Sequence, residues 1–256
     1  MSMQQDPSKL LSGMTGFVTG ASSGLGAHFA TVLADAGANV VIGARRKEKL
    51  DGLSQRLDGS AGKIMVVEMD VNDTAKISSI FDAIEEQGLP VDILVNNAGM
   101  NVVAPALELT PEGYDQILNT NTKAPFFMAT EAARRMITRK QPGRIINIAS
   151  VGASNVLPGL TAYCMSKSAI LMMSRGLSRE WSRHMINVNT ICPGYIETEI
   201  NDFWWKTDGG KKQMESFPRR RLAEASDLDS ALLMFAGPGG KGITGSSITV
   251  DDGQFT

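Results

Sequence analysis

Tyr163 and Lys167 lie four residues apart in the segment Tyr163-Cys164-Met165-Ser166-Lys167. On a helix beginning near Thr161, that spacing puts both on one face, a single turn apart. A phenol beside an ammonium is a proton-transfer pair. Free tyrosine titrates near about 10, and an adjacent positive charge favours the phenolate, which moves the group toward working pH. Ser150 follows an apolar run at residues 144–149 that reads as a strand. At a strand's carboxyl end, its hydroxyl can donate to an oxygen on which negative charge develops. Three such groups suit protonation of a carbonyl oxygen; side chains supply position and electrostatics and no hydride, so a reduction there needs a separate hydride donor.

Near the N-terminus a short β-rich run ends in Thr19-Gly20-Ala21-Ser22-Ser23-Gly24-Leu25-Gly26 and leads into a helical stretch. Gly20, Gly24 and Gly26 let the backbone turn tightly and approach a pyrophosphate, whose charge a helix N-terminus favours. The spacing is G-x-x-x-G-x-G and not the commoner G-x-G-x-x-G. The second β-rich run ends at Ala44-Arg45-Arg46. An acid there would suit a ribose 2′-hydroxyl, whereas Arg45 suits a 2′-phosphate, so NADP(H) is expected, with NAD(H) as second choice. Arg46 reads as a solvated residue at a helix start, and Ser23 gives the loop no second cation.

These residues need elements to hold them. Buried strands are expected at residues 16–19, 39–42, 63–68, 92–96, 144–149, 187–191 and 247–250. Helical stretches fall between them at residues 26–36, 73–86, 113–139 and 161–183, the third kinked or split by Pro125. Strand–helix alternation predicts an α/β fold, a doubly wound parallel sheet of about seven strands with helices on both faces. Residues 1–12 read as a flexible tail and 13–256 as one domain. Residues 195–221 break the rhythm as an irregular insertion, the usual place of a lid over an active site. Val156, Tyr195, Trp204 and Trp205 are its substrate-side candidates.

The chain has 256 residues, 43% hydrophobic and 20% charged, with a formal net charge of −2. No basic excess points to nucleic acid. No apolar run approaches the roughly 20 residues of a membrane helix, and the start lacks signal-peptide features. Cys164 and Cys192 have no metal spacing and read as free thiols, which with the missing signal leads to an expected cytoplasmic location and no metal.

Thr19 to Gly26, Asn96-Asn97-Ala98-Gly99, Asn121 in Asn-Thr-Lys-Ala-Pro-Phe, Ser150 thirteen positions before Tyr163, the Tyr163/Lys167 pair, and Pro193-Gly194 followed by Thr198 occur in this order. Together they resemble the short-chain dehydrogenase/reductase family, a Rossmann fold, from Gly13 to Gly253. The resemblance implies a catalytic set of Asn121, Ser150, Tyr163 and Lys167. It implies that Lys167 holds the nicotinamide ribose and that Asn121 fixes a water relaying protons to Lys167. Asp70, Val71, Asn97, Ala98, Gly99, Pro193, Gly194, Ile196 and Thr198 would then contact the coenzyme. Within the family the chain is most similar to 3-oxoacyl thioester reductases, through residues 143–148 and 193–198. A β-keto acyl thioester is therefore the first expected substrate, and a steroid, aryl or xenobiotic ketone the alternative. Basic residues Arg134, Arg135, Arg139, Lys140, Arg179 and Arg183 could meet an acyl carrier protein or coenzyme A, and a homotetramer is the family expectation. One departure is Val250-Asp251-Asp252-Gly253, where relatives usually carry two glycines after the first Asp.

Two rival readings remain. Gly20-Ala21-Ser22-Ser23-Gly24 matches G-x-S-x-G, the nucleophile elbow of hydrolases, which would need His28 or His184 beside Ser22. A dinucleotide sensor without catalysis would keep the fold and lose the chemistry.

Overall fold

Along the central strands, neighbouring side chains point to opposite faces, and here both faces are buried. Val40 and Ile42 join one apolar cluster while Val41 joins another; Ile93 and Val95 part from Leu94 in the same way, as do Ile146 and Ile148 from Ile145. That is why the strands read as continuous apolar runs. The computed structural model describes residues 7–198 and 202–255. Seven strands form one parallel sheet: β1 (Thr15–Thr19), β2 (Asn39–Ala44), β3 (Ile64–Glu68), β4 (Ile93–Asn96), β5 (Gly143–Ile148), β6 (Ile186–Pro193) and β7 (Ser247–Val250). Their order is β3-β2-β1-β4-β5-β6-β7, a doubly wound Rossmann arrangement.

One face is covered by α1 (Gly24–Asp35), α2 (Lys47–Arg56) and α9 (Asp229–Ala236), through Phe29, Leu33, Leu50, Leu53, Leu232 and Phe235. The other carries α3 (Ile77–Glu86), α5 (Ala124–Arg139) and α6 (Thr161–Trp181), through Phe81, Ile84, Met128, Met136 and Leu177. Because β2 and β4 flank β1 on opposite sides, the chain reverses direction there. That opens a crevice at the carboxyl ends of β1 and β4, where ligands bind in such sheets.

Three expectations change. The helix expected at residues 113–139 is α4 (Pro111–Leu118), a π-helical turn at Asn119–Lys123, and then α5, so the break precedes Pro125 and centres on Asn121. The stretch read as irregular, residues 195–221, contains α7 (Asp202–Trp205) and α8 (Asp208–Ser216). Part of the expected tail is packed: Pro7–Lys9 is a 3-10 turn, and buried Leu11 donates its N–H to Ala36 at 2.8 Å. Among the described residues, no helix is long and apolar enough to cross a membrane, and no His, Cys, Asp and Glu cluster could hold a metal.

Candidate active site

The crevice is closed from both sides by side-chain-to-backbone bonds. Thr19 Oγ1, ending β1, accepts from the N–H groups of Asn97 at 3.0 Å and Ala98 at 3.1 Å, which follow β4. Asn97 Nδ2 donates back to the Thr19 carbonyl at 3.0 Å. This lacing requires glycine at position 20: its φ is +68°, and a Cβ there would lie 2.9 Å from Ala98 Cα. Gly24 has φ +53°, and a Cβ on it would face the Thr198 side chain at 3.7 Å, so the start of the lid lies over the loop. Ser23, the N-cap of α1, does not cap the helix with its side chain. Its Oγ accepts instead from Arg46. The first α1 amides are therefore not capped by Ser23, and the glycine loop before them fits a dinucleotide diphosphate. Leu25 is half-buried at the helix start, Asp70 is exposed just past the end of β3, and Val71 is buried beside it.

Arg46 corrects the sequence reading. Arg45 is exposed at the end of β2 as expected. The guanidinium that reaches the glycine loop belongs to Arg46: Nη2 donates to Ser22 Oγ at 3.0 Å and to Ser23 Oγ at 2.6 Å, and Nε to Ser22 Oγ at 3.2 Å. The loop thus has its second cation, and Ser22 is occupied. His28 Nε2 lies 2.6 Å from Asp229 Oδ1, and His184 lies after α6, near the amino ends of β5 and β6. Ser22 therefore has no histidine partner among the described residues, which removes the hydrolase reading.

At the ends of β5 and β6 the second constellation forms. Ser150, buried, stands beside the Tyr163 hydroxyl and caps the following turn by accepting from Gly152 N–H at 3.1 Å. Lys167 Nζ is buried under the Tyr163 ring, 5.7 Å from its centroid, and donates to the Ile148 carbonyl at 2.9 Å. The Tyr163 pKa is raised, chiefly because burial disfavours the phenolate, with Ser150's hydrogen bond opposing it. The expected lowering by Lys167 does not set the direction, and Tyr163 is a neutral phenol that holds its proton. Burial also brings Lys167 down to about 8. Cys192 lies beside Lys167 and the Ser150 backbone, and burial pushes its thiol up to about 11.

Asn121 stands in the π-turn with its side chain fully used. Oδ1 accepts from Met100 N–H at 2.9 Å; Nδ2 donates to the Met100 carbonyl at 2.8 Å and to Ser166 Oγ at 3.0 Å. Ser166 Oγ in turn donates to the Tyr163 carbonyl at 2.7 Å. Asn121 therefore ties the loop after β4 to α6 at Ser166, the residue before Lys167. Gly99 completes the fit, since a Cβ on it would lie 3.4 Å from Asn121 Oδ1 and 3.5 Å from Lys167 Nζ. The sequence reading missed Ser166; its signal was a small polar residue one turn inside the helix, between Tyr163 and Lys167.

The Lys167 shift has a measurable sign. Its folded value, about 8, lies below the ordinary 10.5, so between these pH values the folded chain has released a proton that the unfolded chain keeps. Stability contributed by this residue therefore rises with pH across that window. In urea titrations, the wild-type protein is expected to gain about 3 kcal/mol relative to Lys167→Met between neutral pH and strongly alkaline pH. Parallel stability curves would contradict the assignment.

The lid divides its aromatic residues. Trp205 is buried, in an edge contact with Tyr195 at 5.1 Å between centroids, and Tyr195 stacks on Phe217 at 5.6 Å. Trp205 thus anchors the lid, against the expectation that it faces substrate. Trp204, 40% exposed, donates its indole N–H to Gln213 Oε1 at 2.9 Å. Val156 is exposed beside the loop after β5. Pro193 ends β6, and Gly194 and buried Ile196 follow, with Ile196 bridged to Ala223 at the lid's base. Of the basic residues expected to meet a carrier protein, Arg134 and Arg135 pair with Glu131, and Arg139 with Glu85. Arg135 and Arg139, through Asp82 and Glu85, serve the packing of α5 against α3, while the Arg134 pair stays within α5.

The family model described as short chain dehydrogenase matches residues 15–209. Gluconate 5-dehydrogenase of Gluconobacter oxydans is 32% identical over 244 residues, 95% of this chain and 95% of that protein. The 3-oxoacyl acyl-carrier-protein reductase of Rickettsia bellii is 31% identical over 247 residues, 96% of this chain and 98% of that one. The crystal structure of a gluconate 5-dehydrogenase from Burkholderia cenocepacia, in complex with NADP and tartrate, superposes with a TM-score of 0.90 at 31% identity, covering 97% of each chain. With its doubly wound sheet, laced glycine crevice and Ser150–Tyr163–Lys167 cluster, this chain belongs to the short-chain dehydrogenase family, oxidoreductases acting on secondary alcohols and ketones.

Proposed function

We propose that this protein reduces a ketone with NADPH, Tyr163 delivering the proton. The observation that carries the reading is a half-buried Tyr163 whose phenol stays neutral, with the Ser150 hydroxyl beside it and Lys167 under its ring, at the same sheet edge as the laced crevice. A bound NADPH supplies hydride to the carbonyl carbon. Ser150 and Tyr163 orient the carbonyl oxygen through their hydroxyls, and Tyr163 Oη gives up its proton as charge develops there. The Lys167 ammonium, held by the Ile148 carbonyl, stabilises the resulting phenolate and holds the ribose. Asn121 positions the Met100 loop and α6, and its family role with a relay water is part of this proposal. Arg45 and Arg46 receive the 2′-phosphate, Arg46 turning from the serine hydroxyls it now holds. The NADP held by the gluconate dehydrogenase neighbour supports this preference.

For substrate, exposed Val103, Leu107, Val156, Phe203 and Trp204 on the loops after β4 and β5 and on the lid favour a ketone with an apolar flank. A β-keto acyl thioester is the first choice, on coenzyme A more than on a carrier protein, since Arg135 and Arg139 are engaged with α3. The names of the sugar-acid relatives favour a second reading, a polyol or sugar acid. Exposed Tyr114, Phe126, Phe127, Met165 and Met172 on α4 to α6 suit burial in a homo-oligomer, a tetramer by family precedent. A kinetic panel of acetoacetyl-CoA, aryl and steroid ketones, and 5-ketogluconate tests the substrate. Turnover confined to the sugar acid would overturn the apolar reading.

A further inference from the structure

Asp252 occupies a position where the family usually has glycine, and it keeps the backbone glycine would choose, with φ +55°. Non-glycine residues are uncommon in that region, and aspartate is one of the few side chains that enter it. Its side chain is 9% exposed. The charges that meet it come from the far end of the lid: Arg219 Nη1 is 2.7 Å from Oδ1 and Arg221 Nε is 2.9 Å from Oδ2. The arginines are 66% and 41% exposed, so the acid is the buried partner and the cations approach it from the lid side. A desolvated carboxylate is costly without cations, which makes the closed position of this segment favourable.

The same C-terminal turn also grips the lid's beginning. Gln254 Oε1 accepts from the Tyr195 N–H at 2.6 Å, and its Nε2 donates to the Tyr195 carbonyl at 3.1 Å. The Phe255 ring packs on the Tyr195 ring with centroids 5.7 Å apart. Asp251 braces the turn by accepting from the N–H groups of Gly253 and Phe255, each at 3.1 Å. Gly194 makes room for it, since a Cβ there would lie 2.5 Å from Gln254 Oε1. Entry and exit of the lid thus converge on five C-terminal residues.

We propose that Asp252 is a positioning residue, a latch that holds the lid's exit turn through Arg219 and Arg221 and so sets how tightly substrate is retained. It acts on substrate through the lid and touches no reacting atom. The proposal rests on reading residues 195–221 as the substrate-side lid, but its first readout is independent of any substrate.

Arg220, between the two paired arginines and itself at φ +51°, is a trypsin site inside the latch. Asp252→Asn removes the charge and tolerates a left-handed backbone; Asp252→Gly, the usual family residue, is strain-free there and guards against misfolding. Limited trypsinolysis of the full chain, followed by mass spectrometry, is expected to cut after Arg220 about tenfold faster in both variants, with cleavage after Arg56 unchanged. On the ketone selected by the panel, KM is expected to rise several-fold while kcat holds or increases. In an Arg219→Gln, Arg221→Gln background, adding Asp252→Asn should change neither readout, because the partners are already gone. Wild-type cleavage rates in both Asp252 variants, or an Asp252→Asn effect undiminished in that background, would overturn the latch. If faster cleavage comes without ketone turnover in any variant, the latch stands and the functional reading fails.

Discussion

Replacing Tyr163 by Phe is expected to lower kcat for ketone reduction by about a thousandfold or more, within the range for loss of a positioned general acid. NADPH affinity is expected to stay within about twofold, because Phe preserves the ring over Lys167 and removes only the hydroxyl. The contrast with Lys167 is informative. Its Nζ supports Tyr163 and lies near the crevice, so Lys167→Met is expected to lose turnover and coenzyme affinity together. Ser150→Ala removes the hydroxyl beside Tyr163 and should fall between these, at about a hundredfold in kcat. Stopped-flow binding alongside steady-state rates separates the three.

The second large effect concerns the coenzyme. Arg46→Ala is expected to weaken NADPH binding about ten- to a hundredfold, the worth of a charge-assisted bond to phosphate. NADH binding should change less than about threefold, since no 2′-phosphate is present to lose. Arg45→Asp is expected to act in the same direction. Titration of tryptophan fluorescence with each coenzyme measures both. Equal losses for NADPH and NADH would mean that Arg46 merely orders the glycine loop through Ser22 and Ser23.

What could be read beforehand was local. Tyr163 and Lys167 share a face because four residues is one helical turn, and Gly20 is required because the crevice closes on Ala98. The seven strands were legible because burial on both faces makes each a continuous apolar run. Which of two adjacent arginines would serve the loop was not legible. It depends on the backbone leaving β2, where Arg46, at φ −91° and ψ 87°, turns back toward Ser23. The paired tryptophans misled for a related reason: neighbours on a helix point about 100° apart, so Trp205 went inward and Trp204 stayed at the surface. Helix α8 was hidden by Gly209 and Gly210, poor helix formers, and is secured by Thr207 accepting from Gly210 N–H at 3.1 Å. The partial burial of Tyr163, which reverses the direction first expected for its pKa, is a tertiary quantity that no spacing reveals.

The most direct test of proton delivery by Tyr163 is oxidation of NADPH by the purified protein over the ketone panel, with Tyr163→Phe measured in parallel. Turnover of at least one ketone by the wild-type protein, about a thousandfold above a variant that binds NADPH equally well, is the expected result. Turnover undiminished in Tyr163→Phe, or tight NADPH binding with no ketone reduced by the wild-type protein, would contradict it.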